Sequence, residues 1–127
     1  MAAPNIINVA SIVPHTVNLT PANTARQGLV AAPATGAAHK INQILATNID
    51  GTNAADITVE MRLADGTTYR SIANTISVPA DASLIVLDKT TSFYLLDTSV
   101  TGEPSMIWVT TGTANAITFT CSYETIS

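Results

Sequence analysis

Apolar side chains in this chain recur at every second residue rather than every third or fourth. Between Asp56 and Leu63, Ile57, Val59, Met61 and Leu63 fall on one side, and Thr58, Glu60 and Arg62 on the other. That spacing predicts a half-buried strand with one wet face. The last stretch repeats the pattern. Ile117, Phe119, Cys121 and Tyr123 alternate with Thr118, Thr120, Ser122 and Glu124. Threonine suits the outward positions because its branched β-carbon fits a pleated surface.

Other strands are less cleanly sided. Lys40 to Asn48 carries Ile41, Ile44 and Leu45, with Asn42 and Gln43 between them. The runs Leu84-Ile85-Val86-Leu87 and Met106-Ile107-Trp108-Val109 are apolar on both sides, so each is buried on two faces or meets a partner chain. Shorter candidates lie at Thr67 to Ile72, Thr75 to Val78 and Ser92 to Leu96. Turn chemistry separates the runs. Asp50-Gly51 and Asp65-Gly66 supply the positive φ angles of tight reversals, and the second predicts a hairpin over Asp56 to Ile72. Pro79-Ala80-Asp81, Gly102-Glu103-Pro104 and Gly112 to Asn115 mark further reversals. No window has the period of an amphipathic helix. Seven to nine closely spaced strands in 127 residues imply one all-β domain, an antiparallel β-sandwich or jelly-roll-like barrel.

The beginning of the chain differs. Pro4, Pro14, Pro21 and Pro33 interrupt it, yet Ile6, Ile7, Val9, Ile12, Val13, Val17 and Leu19 make it too apolar for a solvated tail. Residues 1–24 are read as edge strands of the domain's own sheet or as an extended arm lying along a neighbouring subunit; residues 25–127 are read as the sandwich. Both readings suit proline, which tolerates only edges and strand ends. An arm can add a strand to an exposed sheet edge. Ile6, Ile7, Val9, Ile12 and Val13 are therefore the candidate assembly contacts.

Only 11% of the residues are charged, against about a quarter in ordinary domains. A weakly charged surface fits a protein packed against others; the plainer alternative is a soluble monomer with a threonine-rich skin. The net charge is −4. The five basic residues, Arg26, Lys40, Arg62, Arg70 and Lys89, are scattered without a stripe, which argues against nucleic acid as a partner. No run approaches the ~18 apolar residues that a membrane span needs. The N-terminus shows no basic region followed by an apolar run, so the expectation is synthesis and assembly in a cytoplasm. On that expectation the sequon Asn18-Leu19-Thr20 is a chance match.

Chemistry-bearing constellations are not evident. Cys121, the single cysteine, lies in phase with the apolar residues and reads as a small core residue. His15 and His39 stand in different contexts without metal-ligand spacing. Asn48, Asp50, Asn53 and Asp56 surround Gly51, but lack the number and order of a calcium loop. Their plainer explanation is a turn held by side chains bonding their own backbone. Glycines are too separated for a phosphate cradle. Trp108, Phe93, Tyr94, Tyr69 and Tyr123 are candidates for a sugar-stacking platform, but most lie in apolar runs where core packing is the ordinary use. The expectation is a structural or binding module without cofactor or metal, not an enzyme.

The passage from Lys40 to Val59, KINQILATNIDGTNAADITV, resembles small virion structural proteins of tailed phages, notably those infecting cyanobacteria. So do Ile76 to Leu84, ISVPADASL, and the closing Cys121 to Ser127, CSYETIS. The likeness covers roughly residues 25–127 and carries no catalytic motif. It implies a β-sandwich component of the virion. The leading expectation is a capsid decoration (cement) protein that binds major capsid proteins as a homo-oligomer. A neck, tail or baseplate subunit and a glycan-binding surface module are the alternatives.

Overall fold

The computed structural model describes residues 10–127. Among the described residues, nine strands build two antiparallel sheets. In chain order they are β1 (Ile12–Leu19), β2 (Gln27–Val30), β3 (Ala38–Asn48), β4 (Ala55–Leu63), β5 (Tyr69–Val78), β6 (Ser83–Leu87), β7 (Phe93–Leu96), β8 (Pro104–Thr111) and β9 (Ile117–Ile126). The first sheet has the order β1-β9-β3-β6, with β7 pairing further along the same side of β3; the second has the order β2-β8-β4-β5. Taken together, β6 and β7 act as one strand broken by a single 3-10 turn at Lys89–Thr91, which Asp88 caps. The chain then passes between two four-stranded sheets in the manner of a jelly roll, so the all-β sandwich expected from the sequence is the fold.

Alternation explains the packing. Ile57, Val59, Ile107 and Val109 point from the second sheet into the centre, where they meet Ile41, Ile44, Phe119 and Cys121 from the first; all are essentially inaccessible to water. Cross-strand partners share a face, so β9 lines up Phe119 with Leu19 and Ala46, and Cys121 with Val17 and Ile44. The outward rows carry hydroxyls and amides. Thr120 donates to Asn18, Thr20 bonds Thr118, and Thr47 bonds Ser83 across neighbouring strands.

The imperfect pattern of Lys40 to Asn48 has a local cause. Ile41 and Ile44 are three residues apart, yet both are buried. The register with β9 slips between Ile41 and Gln43. Asn42 is the additional residue of that bulge, and its side chain donates to Glu124. One inserted residue returns the following apolar positions to the core face. In the β4–β5 hairpin, Asp65 accepts from the backbone N–H of Thr67 and Thr68, and Gly66 takes φ +77°. The two short candidates at Thr67 to Ile72 and Thr75 to Val78 are one strand, β5, whose pairing with β4 is interrupted. At that interruption Thr75 adopts φ +52° and its N–H donates to Thr58 Oγ1.

One sequence expectation needs correction. The polar side of Asp56 to Leu63 is not a wet face: Glu60 is only 8% exposed and Arg62 is partly buried. Of the two alternatives for the run Met106 to Val109, burial on both faces within the chain is not the one found. Ile107 and Val109 enter the core, while Met106 and Trp108 lie on the outer side of the second sheet. A strand absent from the sequence reading, β2, occupies the edge of that sheet next to β8.

Candidate functional site

Register places an Arg-aromatic cluster on the outer face of the second sheet. Gly28, Trp108, Glu60 and Ser71 form one row across β2, β8, β4 and β5; Met106, Arg62 and Tyr69 form the next. Arg26, just before β2, reaches over this face. Its Nε donates to Glu60 Oε1 at 2.9 Å and its Nη2 to Oε2 at 3.3 Å. Donating to the Glu60 carboxylate raises the affinity of the Arg26 guanidinium for its proton. The same guanidinium stands 3.7 Å from the centre of the Tyr69 ring. Tyr69 meets Trp108 edge-on at 6.2 Å, and Arg62 lies 5.2 Å from the centre of the Trp108 ring. Gly28 lies beside the indole, where a Cβ would make an ordinary contact at 3.8 Å. The Nε1 of Trp108 and the Nε of Arg62 are shielded from water and lack an acceptor among the described residues. Tryptophan, tyrosine and arginine are the residue types that dominate binding energy at protein interfaces.

The edges of the first sheet are apolar where they meet solvent. On β1, Ile12 is 58% and Val13 45% exposed; on β6, Ile85 is 58% exposed. Of the candidate assembly residues, Ile12 and Val13 thus share the β1 edge, in register with Ile126 and Thr125 of β9. Ile6, Ile7 and Val9 lie outside the described residues. At the far side of the sandwich, between β5 and the β6–β7 edge, the layers part around a groove of about 580 Å³. Met61, Ile72, Leu87, Phe93, Leu96 and Pro104 supply its apolar walls, with Tyr94 at 42% exposure beside them.

The remaining candidate residues serve the fold. Burial pushes the Cys121 thiol up to about 12, which removes the thiolate that a nucleophile needs at neutral pH. His15 and His39, separate in sequence, converge on Tyr123. Their ring centres lie 4.9 and 4.7 Å from it, and His39 Nδ1 bonds Thr125 Oγ1 at 3.0 Å. Desolvation holds the His39 imidazole below its usual value, and the charge of His15 acts in the same direction. Among the described residues no three His, Cys, Asp or Glu side chains are placed to hold a metal. The Asp50 turn spends its oxygens internally. Asp50 Oδ1 accepts from the N–H of Thr52 and Asn53, and Asn48 Oδ1 accepts from the N–H of Asp50. Buried Asn48 donates in turn to the carbonyls of Asn53 and Val78. The N–H groups of Thr52 and Asn53 hold the Asp50 carboxyl below the usual carboxylate range.

The sequence missed the partnership of Arg26, Glu60, Arg62, Tyr69 and Trp108. The apolar run at Met106 to Val109 was its one visible signal, because an outward tryptophan there requires cover.

No protein-family model matches the sequence, and no curated protein matches it. Solved structures with a partly similar chain path are a subunit of Bacillus endospore appendages, described as disulfide-linked pili, and the virus-like particle of Macrobrachium rosenbergii extra small virus. The first is 18% identical with a TM-score of 0.48, covering 91% of this chain and 87% of its own. The second is 10% identical with a TM-score of 0.49, covering 98% and 83%. VP2 of infectious bursal disease virus, from derived T=1 particles, is 11% identical with a TM-score of 0.40; it covers 93% of this chain, which spans 36% of it. At these identities and scores the likenesses transfer no function to this chain.

Proposed function

We propose that this chain is a structural subunit of a viral particle, and specifically a decoration protein that clamps major capsid proteins of a tailed-phage head as a homo-oligomer. The observation that carries the proposal is the exposure of Ile12, Val13 and Ile85 on opposite edges of the first sheet. Open strand edges with apolar side chains favour pairing with another chain, and soluble monomers ordinarily blunt them with charge or proline. Pro14 is the only such device within β1. The Arg-aromatic face of the second sheet adds side chains of the types that dominate protein interfaces. Ile6, Ile7, Val9, Ile12 and Val13 are the assembly contacts in this reading, and the resemblance of residues 25–127 to small virion proteins agrees with it. An acidic chain with scattered basic residues contacts protein rather than packaged nucleic acid.

Quantitative mass spectrometry of purified particles tests the proposal. A decoration protein occurs in a fixed ratio near that of the major capsid protein. A ratio far below it assigns the chain to neck, tail or baseplate, and absence from the particle refutes the structural reading.

A further inference from the structure

We infer that the groove between β5 and the β6–β7 edge receives the N-terminal segment of a second copy of this chain, an inference that rests on the structural-subunit reading. The groove is a broad apolar opening at the margin of the core. It is lined by Met61, Ile72, Leu87, Phe93, Leu96 and Pro104, which come from both sheets. Its banks are sheet edges, with β5 ending one sheet and β6 and β7 bordering the other. An extended peptide laid there would gain main-chain hydrogen bonds from an edge and place alternate side chains inside.

The chain carries a segment of matching character. Ile6, Ile7 and Val9 lie in the nine residues before Ala10, and Pro4 limits a strand to Asn5 onward. Five residues from Asn5 to Val9 extend about 17 Å. Ile7 and Val9 would share one face of that strand.

Geometry selects the second copy over the chain's own groove. The backbone N–H groups of Ala10 and Ser11 both donate to the Ser127 carbonyl, so the chain is still held beside β9 at Ala10. Ile12, Ile126, Ala38 and Leu96 form one row across the first sheet. Crossing from β1 to β7 along that row spans three strand spacings, about 14 Å. An extended chain covers at most about 3.6 Å per residue. The crossing therefore takes up Val9, Asn8 and Ile7, so that of the apolar side chains between Asn5 and Val9 only Ile6 would arrive at the groove. A neighbouring copy has no such constraint. Donor and acceptor sit on opposite edges, so the contact is head-to-tail and generates a ring or an open chain of subunits.

Isotope-mixed cross-linking tests this on the full chain. ¹⁵N-labelled Ile7→Cys protein is mixed with unlabelled Ser71→Cys protein and oxidised, with circular dichroism confirming that both are folded. The expected product is a disulfide joining position 7 of a labelled chain to position 71 of an unlabelled one. Ile7→Asp is expected to weaken self-association about 100-fold. The inference is overturned if a double variant cross-links only within one chain, which assigns the groove to the protein's own segment. It is equally overturned if the chain self-associates without the mixed product, or stays monomeric at high concentration. The structural-subunit reading is judged separately, by whether the chain is present in purified particles.

Discussion

Arg26→Ala is expected to loosen the second sheet by more than an ordinary surface ion pair would. Two numbers bracket the effect. Exposed pairs contribute about 0.2–1 kcal/mol, while removing one partner of a fully buried pair costs about 3–5 kcal/mol. Here the Arg26 side chain is 44% exposed and that of Glu60 is 11% exposed. Solvent screening of the arginine rules out the upper range, and shielding of the carboxylate rules out the lower. A coupling of about 1–2 kcal/mol between the two follows. Loss of the guanidinium from the Tyr69 ring adds about 0.5–1 kcal/mol to the single substitution. The strap also crosses β8 and so ties the four-residue edge strand β2 to β4. The assay is a double-mutant cycle in urea with Arg26→Ala, Glu60→Gln and both together. Arg26→Ala should lower Tm by roughly 6–12 °C, at about 4 °C per kcal/mol. A coupling energy below about 0.3 kcal/mol would refute the claim that the strap is shielded enough to matter.

Three further outcomes follow from the same structure. The His39 imidazole binds its proton less tightly folded than unfolded, so its contribution to stability is complete above the ordinary histidine value of about 6.5 and is lost as pH falls toward the folded-state value. Urea midpoints measured from about pH 8 to pH 5 should drop on the acid side, and His39→Gln should flatten that drop; an unchanged slope would contradict the assignment. Thr75 holds a β-branched residue at φ +52°, so Thr75→Gly should raise stability by about 1 kcal/mol in thermal unfolding. A destabilisation would show that the Thr75 side chain matters more than its backbone strain. The Cys121 thiol should resist a water-soluble disulfide reagent in the native protein and react promptly in denaturant; rapid native labelling would mean that the core opens at β9.

Strands that keep strict alternation were legible from the residues alone. β4 keeps the period of two from Ala55 to Val59 and β9 from Ile117 to Ser122, and Asp65-Gly66 marks the hairpin between β4 and β5. Legibility failed where a bulge shifts the phase. The Ile41–Ile44 spacing makes sense only once Asn42 is known to be the additional residue opposite β9. β2 is too short to show a period, and the turn capped by Asp88 depends on local bonds to Thr90 and Thr91. The site was harder still. Arg26 and Glu60 are 34 positions apart and meet only because β2, β8 and β4 are neighbours. His15 and His39 meet through Tyr123 for the same reason, since β1 and β3 flank β9. Periodicity reports which face a residue takes; long-range register decides whom it meets there.

A cryo-EM map of the intact particle with this chain located in it tests the assembly role most directly. Neighbouring chains are expected to cover Ile12 and Val13 on β1 and Ile85 on β6, leaving the hydroxyl-bearing rows more exposed. A map in which both edges of the first sheet face solvent, with no neighbour against them, would contradict it.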